Sequence, residues 1–150
     1  MHIQQLVRTD PERILMVVRN VDGGGSITTG MGAQLFVAAA SINGNAVTKN
    51  TQATAEAFCG VAAQDIAINA WGLVTAWGWA ASVFISQSVG SWTITAGDIL
   101  KHGGQAGTFT SVITDQAVST LYYKYIIAAG GLADTISNPR PYVSGIVRAL

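Results

Sequence analysis

Between Asp65 and Asp98 the chain carries no charged side chain, and side-chain size alternates within that stretch. Trp71, Leu73, Thr75, Trp77, Trp79, Ala81, Val83 and Ile85 occupy odd positions and are mostly bulky. Gly72, Val74, Ala76, Gly78, Ala80, Ser82, Phe84 and Ser86 occupy even positions and are mostly small, with Phe84 the exception. A period of two predicts strand, because successive strand side chains face opposite ways. Gly72 and Gly78 would each cost a helix about 1 kcal/mol. Residues 66–85 are long enough to cross a bilayer as a helix. However, the nearest basic residues are Lys49 and Lys101, too far away to anchor such a span. The stretch therefore reads as sheet, not membrane.

The rest of the chain reads as short strands between turn signals. Residues 14–21 are apolar and β-branched and stop at Asp22-Gly23-Gly24-Gly25. Residues 33–40 form a strand candidate ended by Asn43-Gly44-Asn45, residues that tolerate positive φ. Further candidates are 91–96, 108–113, 121–127 and, after Pro139 and Pro141, 142–150. Residues 53–67 are alanine-rich and fit either a short helix or a strand around Phe58. The predicted fold is all-β: one β-sandwich or β-barrel domain of short antiparallel strands over 14–150, with an extended N-terminal arm over 1–13. Gly25-Ser26 and Gly90-Ser91 open two similar stretches, read as chance likeness between β-turn-β units rather than a repeat.

Charge changes the picture next. Eight basic and eight acidic residues cancel, which leaves no electrostatic footprint for nucleic acid. Charged residues are 11% of the chain, against roughly 25% in ordinary soluble domains. A surface so poor in charge favours association. Six of those charges lie in the first 22 residues, setting that end apart, and they interrupt it too early for a secretory signal. Cys59 is the single cysteine, so no disulfide can form within one chain.

Candidate chemistry is sparse, and no catalytic, cofactor or metal residues are assigned. His2 lies in the arm, where fixed geometry is hard to hold. His102, in Lys101-His102-Gly103-Gly104, reads as a surface turn residue; a hydrolase would need a Gly-x-Ser-x-Gly elbow that is missing. Cys59 follows Phe58 in an apolar run and reads as a buried core thiol. The histidines and the cysteine have no zinc spacing. The glycine runs lack the lysine of a phosphate loop and the third glycine of a dinucleotide fingerprint. Trp71, Trp77 and Trp79 share one parity. They fit a bulky core face, an interface belt or a sugar-stacking platform. Trp92 stands apart and is expected to be exposed.

Four elements together resemble small virion proteins of tailed phages: Gly60-Val61-Ala62, Asp65-Ile66-Ala67, Trp71-Gly72-Leu73-Val74 and Thr95-Ala96-Gly97-Asp98. The likeness covers roughly 14–150 and is closest to the capsid decoration, or head-stabilising, type. The ending Val147-Arg148-Ala149-Leu150 is similar to the basic, apolar ends of such proteins. The resemblance implies a non-enzymatic protein on the outer face of an icosahedral capsid, assembled in the host cytoplasm. Its implied partners are the major capsid protein and copies of itself in a homotrimer. The arm Met1, His2, Ile3, Gln4, Gln5, Leu6 and Val7 is the expected partner-binding segment, ordered on assembly by strand addition. Trp92, Arg148 and Leu150 complete the expected contact set. Alternatives are a tail-tube, head-tail joining or shell role, or a carbohydrate-binding β module.

Overall fold

The structure is a computed structural model that describes residues 12–37, 44–51, 57–86, 93–103, 105–111, 126–133 and 142–149. Its elements are all strands: β1 (Arg13–Asn20), β2 (Gly32–Leu35), β3 (Ala46–Lys49), β4 (Phe58–Ala62), β5 (Trp71–Phe84), β6 (Thr93–Ile94), β7 (Ile99–His102), β8 (Phe109–Ser111), β9 (Ile126–Ala128), β10 (Leu132–Ala133) and β11 (Tyr142–Arg148). No helix among the described residues is long and apolar enough to cross a membrane.

Five strands close on themselves in the order β1-β3-β2-β4-β5, because β5 also pairs with β1. This ring is a β-barrel, which leaves its strands no free edge along the paired residues. Val18, Ala33, Val47, Cys59, Ala62 and Val74 pack inside it. Ile27 and Ile66, both fully buried, join that cluster and bridge each other by backbone bonds of 3.0 and 2.8 Å. Burying each such aliphatic side chain contributes about 1.5–3 kcal/mol.

The sheet continues past the barrel as β5-β11-β9-β7-β8. It then curls back on β5: Phe109 bridges Ile85, and the Ser86 amide donates to the Phe109 carbonyl at 2.7 Å. A second apolar cluster fills this half, with Ala80, Val83, Ile85, Leu100, Phe109, Ile126, Val143 and Val147. Phe58 and Val61 of β4 belong to this cluster, whereas Cys59 and Ala62 belong to the first. Strand β4 is therefore buried on both faces and separates the two cores.

Two expectations need correction. The strands are not all short, because β5 runs for 14 residues and serves both halves. They are not all antiparallel either, because β1 and β3 run parallel. Strands β3, β7 and β10 arise where no strand was expected from the sequence. The arm assigned to 1–13 overlaps β1 at Arg13, and its first 11 residues lie outside the described ones.

Gly78 is where the chain is tightest. Its φ of 93° is left-handed, and a Cβ there would overlap the Glu12 carbonyl oxygen and crowd the Arg13 Cα. Gly97 has a similar φ of 97° but open space around it. Gly78→Ala is expected to cost about 3 kcal/mol or more, from strain plus backbone clash, and Gly97→Ala about 1 kcal/mol from strain alone. Urea unfolding of the two variants checks this; equal losses would mean that the close approach of β1 at Gly78 is unimportant.

Candidate functional site

The alternation along β5 does not run in one phase, and this decides where the tryptophans point. Leu15 pairs with Thr75 while the adjacent Ile14 pairs with Trp77, so Ala76 is an extra residue in a bulge. A second bulge lies opposite Ser144: Gly145 pairs with Ala80 and Val143 with Val83. Each bulge shifts the facing pattern by one residue. Gly72 and Val74 are buried in the barrel segment, Gly78 and Ala80 beyond the first bulge, and Val83 and Ile85 beyond the second.

These buried positions therefore carry glycine, alanine, valine and isoleucine, and the tryptophans face outward. This overturns the reading of the three tryptophans as a core face. Trp71 is 58% exposed on the barrel exterior, and Trp77 and Trp79 are half-buried. A core face of Gly and Ala lets Ile66 pack directly over Gly72, where a Cβ would lie 2.5 Å from its Cγ1.

Cross-strand register assembles the outer face of the second half. Ile14, Trp77 and Arg148 form one row across β1, β5 and β11. Trp79, Ile146, Ile127 and Ile99 form the next across β5, β11, β9 and β7. Ile14 is 50% and Ile146 41% exposed. The Arg148 guanidinium sits over the Trp77 ring at 5.4 Å, a contact worth about 0.5–1 kcal/mol at an exposed site. Phe84 and Tyr142 add a tilted ring pair with centroids 5.4 Å apart. Arg13 and Trp79 line one cleft of about 70 Å³ together with Thr29, Thr75 and Ser82. An apolar face with aromatics and an arginine has the composition of a protein-binding surface.

Of the residues expected to contact a partner, Arg148 falls on this face. Met1, His2, Ile3, Gln4, Gln5, Leu6, Val7, Trp92 and Leu150 lie outside the described residues. Trp77 and Trp79, which the sequence offered as an interface belt among other readings, lie on this face, and Ile14, Ile99, Ile127 and Ile146 join them without having been singled out. A signal for part of them exists in β11, where Val143, Gly145 and Val147 alternate with Tyr142, Ile146 and Arg148, so both faces carry large side chains.

His102 is corrected from a surface turn to a core position. It extends β7 opposite Phe109, is 7% exposed, and the turn begins only after it. Its ring stacks on Phe109 at 6.1 Å and meets Phe58 edge-on at 6.0 Å. The Asn50 side-chain amide donates to His102 Nδ1. Asn50 also bonds the backbone of Gly32 and Gly107, so this polar couple ties the barrel to the second half. Among the described residues no three His, Cys, Asp or Glu side chains gather as a metal site requires. No family model and no curated protein matches the chain.

Cys59 is buried, and its Sγ donates to the Ala33 carbonyl at 3.4 Å. Burial pushes its thiol from 9.0 up to about 12, although a backbone hydrogen bond at Cys59 pulls the other way. The folded protein thus keeps a proton that the unfolded chain releases above pH 9, so stability falls as pH rises from 9 toward 12. The slope approaches about 1.4 kcal/mol per pH unit. Cys59 is expected to resist a disulfide reagent at pH 8 until the protein is unfolded; rapid labelling of the native protein would contradict its burial.

Proposed function

We propose that this chain is a structural virion protein that docks on the outer surface of a phage capsid and stabilises it. The reading makes it a non-enzymatic protein, with the major capsid protein as partner and a homotrimer as the docking form. The observation that carries it is the apolar outer face built by Ile14, Trp77, Trp79 and Ile146. On a lone soluble domain such a face costs solubility, whereas on a shell it becomes buried contact. The closed barrel leaves its five strands no free edge for strand addition, which supports contact through a face there rather than edge pairing. The arm Met1–Val7 is a second, separate contact in this reading.

Trp71 favours one further reading. It is the most exposed described tryptophan and stands beside Arg19 and Asn69, the polar flank a sugar-stacking ring uses. Glycan binding that disappears in Trp71→Ala would favour a carbohydrate module.

The test is co-sedimentation with empty shells of the capsid protein encoded in the same phage or prophage. The wild-type chain is expected to pellet at a copy number near that of the shell subunit. Ile146→Asp with Trp77→Ala should weaken docking at least tenfold, since central aromatic contacts carry about 2 kcal/mol or more each. A chain that stays in the supernatant with such shells would defeat the capsid reading.

A further inference from the structure

The joint between the two halves closes on one titratable ring. Just after β3, the Asn50 carbonyl accepts the Gly107 amide at 2.9 Å, and the Asn50 backbone amide donates to the Gly32 carbonyl at 3.0 Å. Its side-chain amide donates to His102 Nδ1, so the neutral ring carries its proton on Nε2. His102 is buried, stacked on Phe109 and edge-on to Phe58. The Gly103 and Ser86 amides complete the joint, donating to the Thr108 and Phe109 carbonyls at 2.8 and 2.7 Å.

The titratable groups on the surrounding strands are turned elsewhere. Lys49, before Asn50, reaches the Gly24 carbonyl at 3.2 Å and Asp22 at 3.9 Å. Cys59 belongs to the barrel core, whereas its neighbour Phe58 belongs to the other. Lys101 precedes His102 in β7, so its side chain takes the opposite face of that strand. Asp98, just before β7, holds the Thr95 amide, and β8 carries no titratable residue. Among the described residues, no carboxylate lies beside the ring to balance a positive charge.

We infer that His102 is an acid-sensitive latch: a second proton on its ring breaks the Asn50 contact and releases the β7–β8 hairpin from the barrel. With both ring nitrogens protonated, Nδ1–H and the Asn50 N–H are two donors facing each other. Turning the amide over would bury its N–H groups where Oδ1 now lies without a partner among the described residues. The faces of Phe58 and Phe109 attract a cation but cannot replace the hydrogen bonds that water gives it. Opening the joint restores those bonds. An opened ring takes up its proton near the ordinary imidazole value of about 6.5. The closed joint is therefore fully favoured above that pH and loses up to about tenfold in its closing equilibrium per pH unit below it. This latch lies beyond the docking reading and does not depend on it.

Hydrogen exchange of the full-length chain at about pH 7.5 and about pH 5, corrected for intrinsic rates, tests it. The Ser86, Gly103 and Gly107 amides report on the joint, and the Ile27 and Ile66 amides on the barrel. The joint amides are expected to lose about tenfold or more of their protection in acid while the barrel amides keep theirs. His102→Gln should flatten that response, and Asn50→Asp should reverse it, because a carboxylate would hold the imidazolium. In His2→Gln, His102 is the remaining histidine, and its ring can be titrated by NMR. Joint protection independent of pH, a loss shared equally by the barrel, or the same loss in folded His102→Gln would overturn the latch. So would a ring that gains its second proton while the joint amides stay protected. If His102→Gln does not fold, Asn50→Asp and the ring titration decide the matter.

Discussion

One strand has to satisfy two cores, and the rest of the structure follows from how β5 does so. Its first residues complete the barrel with β1 and β4, and its last ones pair with β11 to wall the second cluster. The two cores lie on opposite faces of the strand. A regular strand cannot bury the same parity on both, since side chains alternate strictly. The bulge at Ala76 supplies the change of phase, and the register shift opposite Ser144 supplies a second. Strand β4 meets the same demand with its own register shift, between the residues paired to Ala33 and Gln34.

Sharing a strand sets a limit on side-chain volume. Where β1 crosses near Gly78 and Ile66 presses on Gly72, no Cβ can be accommodated without movement. At these two crossings the inward position is therefore glycine, and the bulkiest side chains of the strand, its tryptophans, stand on the outside. Large apolar side chains on an outer face lower solubility unless something covers them. The packing solution inside and the sticky face outside are two consequences of one constraint. Function enters there: the proposed docking uses side chains that the core had no room for.

Polar groups follow a parallel division. Asp22, Asp65 and Asp98 stabilise turns through charge-assisted bonds to backbone amides, each worth about 1.5–3 kcal/mol. Asn50 and His102 join the two halves within an apolar cage of Phe58 and Phe109. Arg148 is left to the outer face, where its guanidinium lies against the Trp77 indole.

Much of this was legible in the sequence. Period two between residues 71 and 85 and the turn chemistry at Asp22-Gly23 and Gly97-Asp98 point to an all-β chain, because local sterics decide them. The burial of Cys59 was legible too, since a thiol in an apolar run has no better place. The facing of Trp71, Trp77 and Trp79 was not. Parity identifies which side chains share a side of an unbroken strand, but it says neither which side is inside nor where a bulge resets the count. Those depend on partners distant in sequence: Ile14 and Leu15, which pair around Ala76, and Val143 and Gly145, which pair around Ser82. His102 was hidden for the same reason, because Phe58, Asn50 and Phe109 come from three other parts of the chain. The sequence by itself determined that this protein builds sheet with a face rich in indole. Only the tertiary structure decided that the indoles stand outside, because the interior of a shared strand has space for nothing larger than glycine or alanine where its neighbours cross.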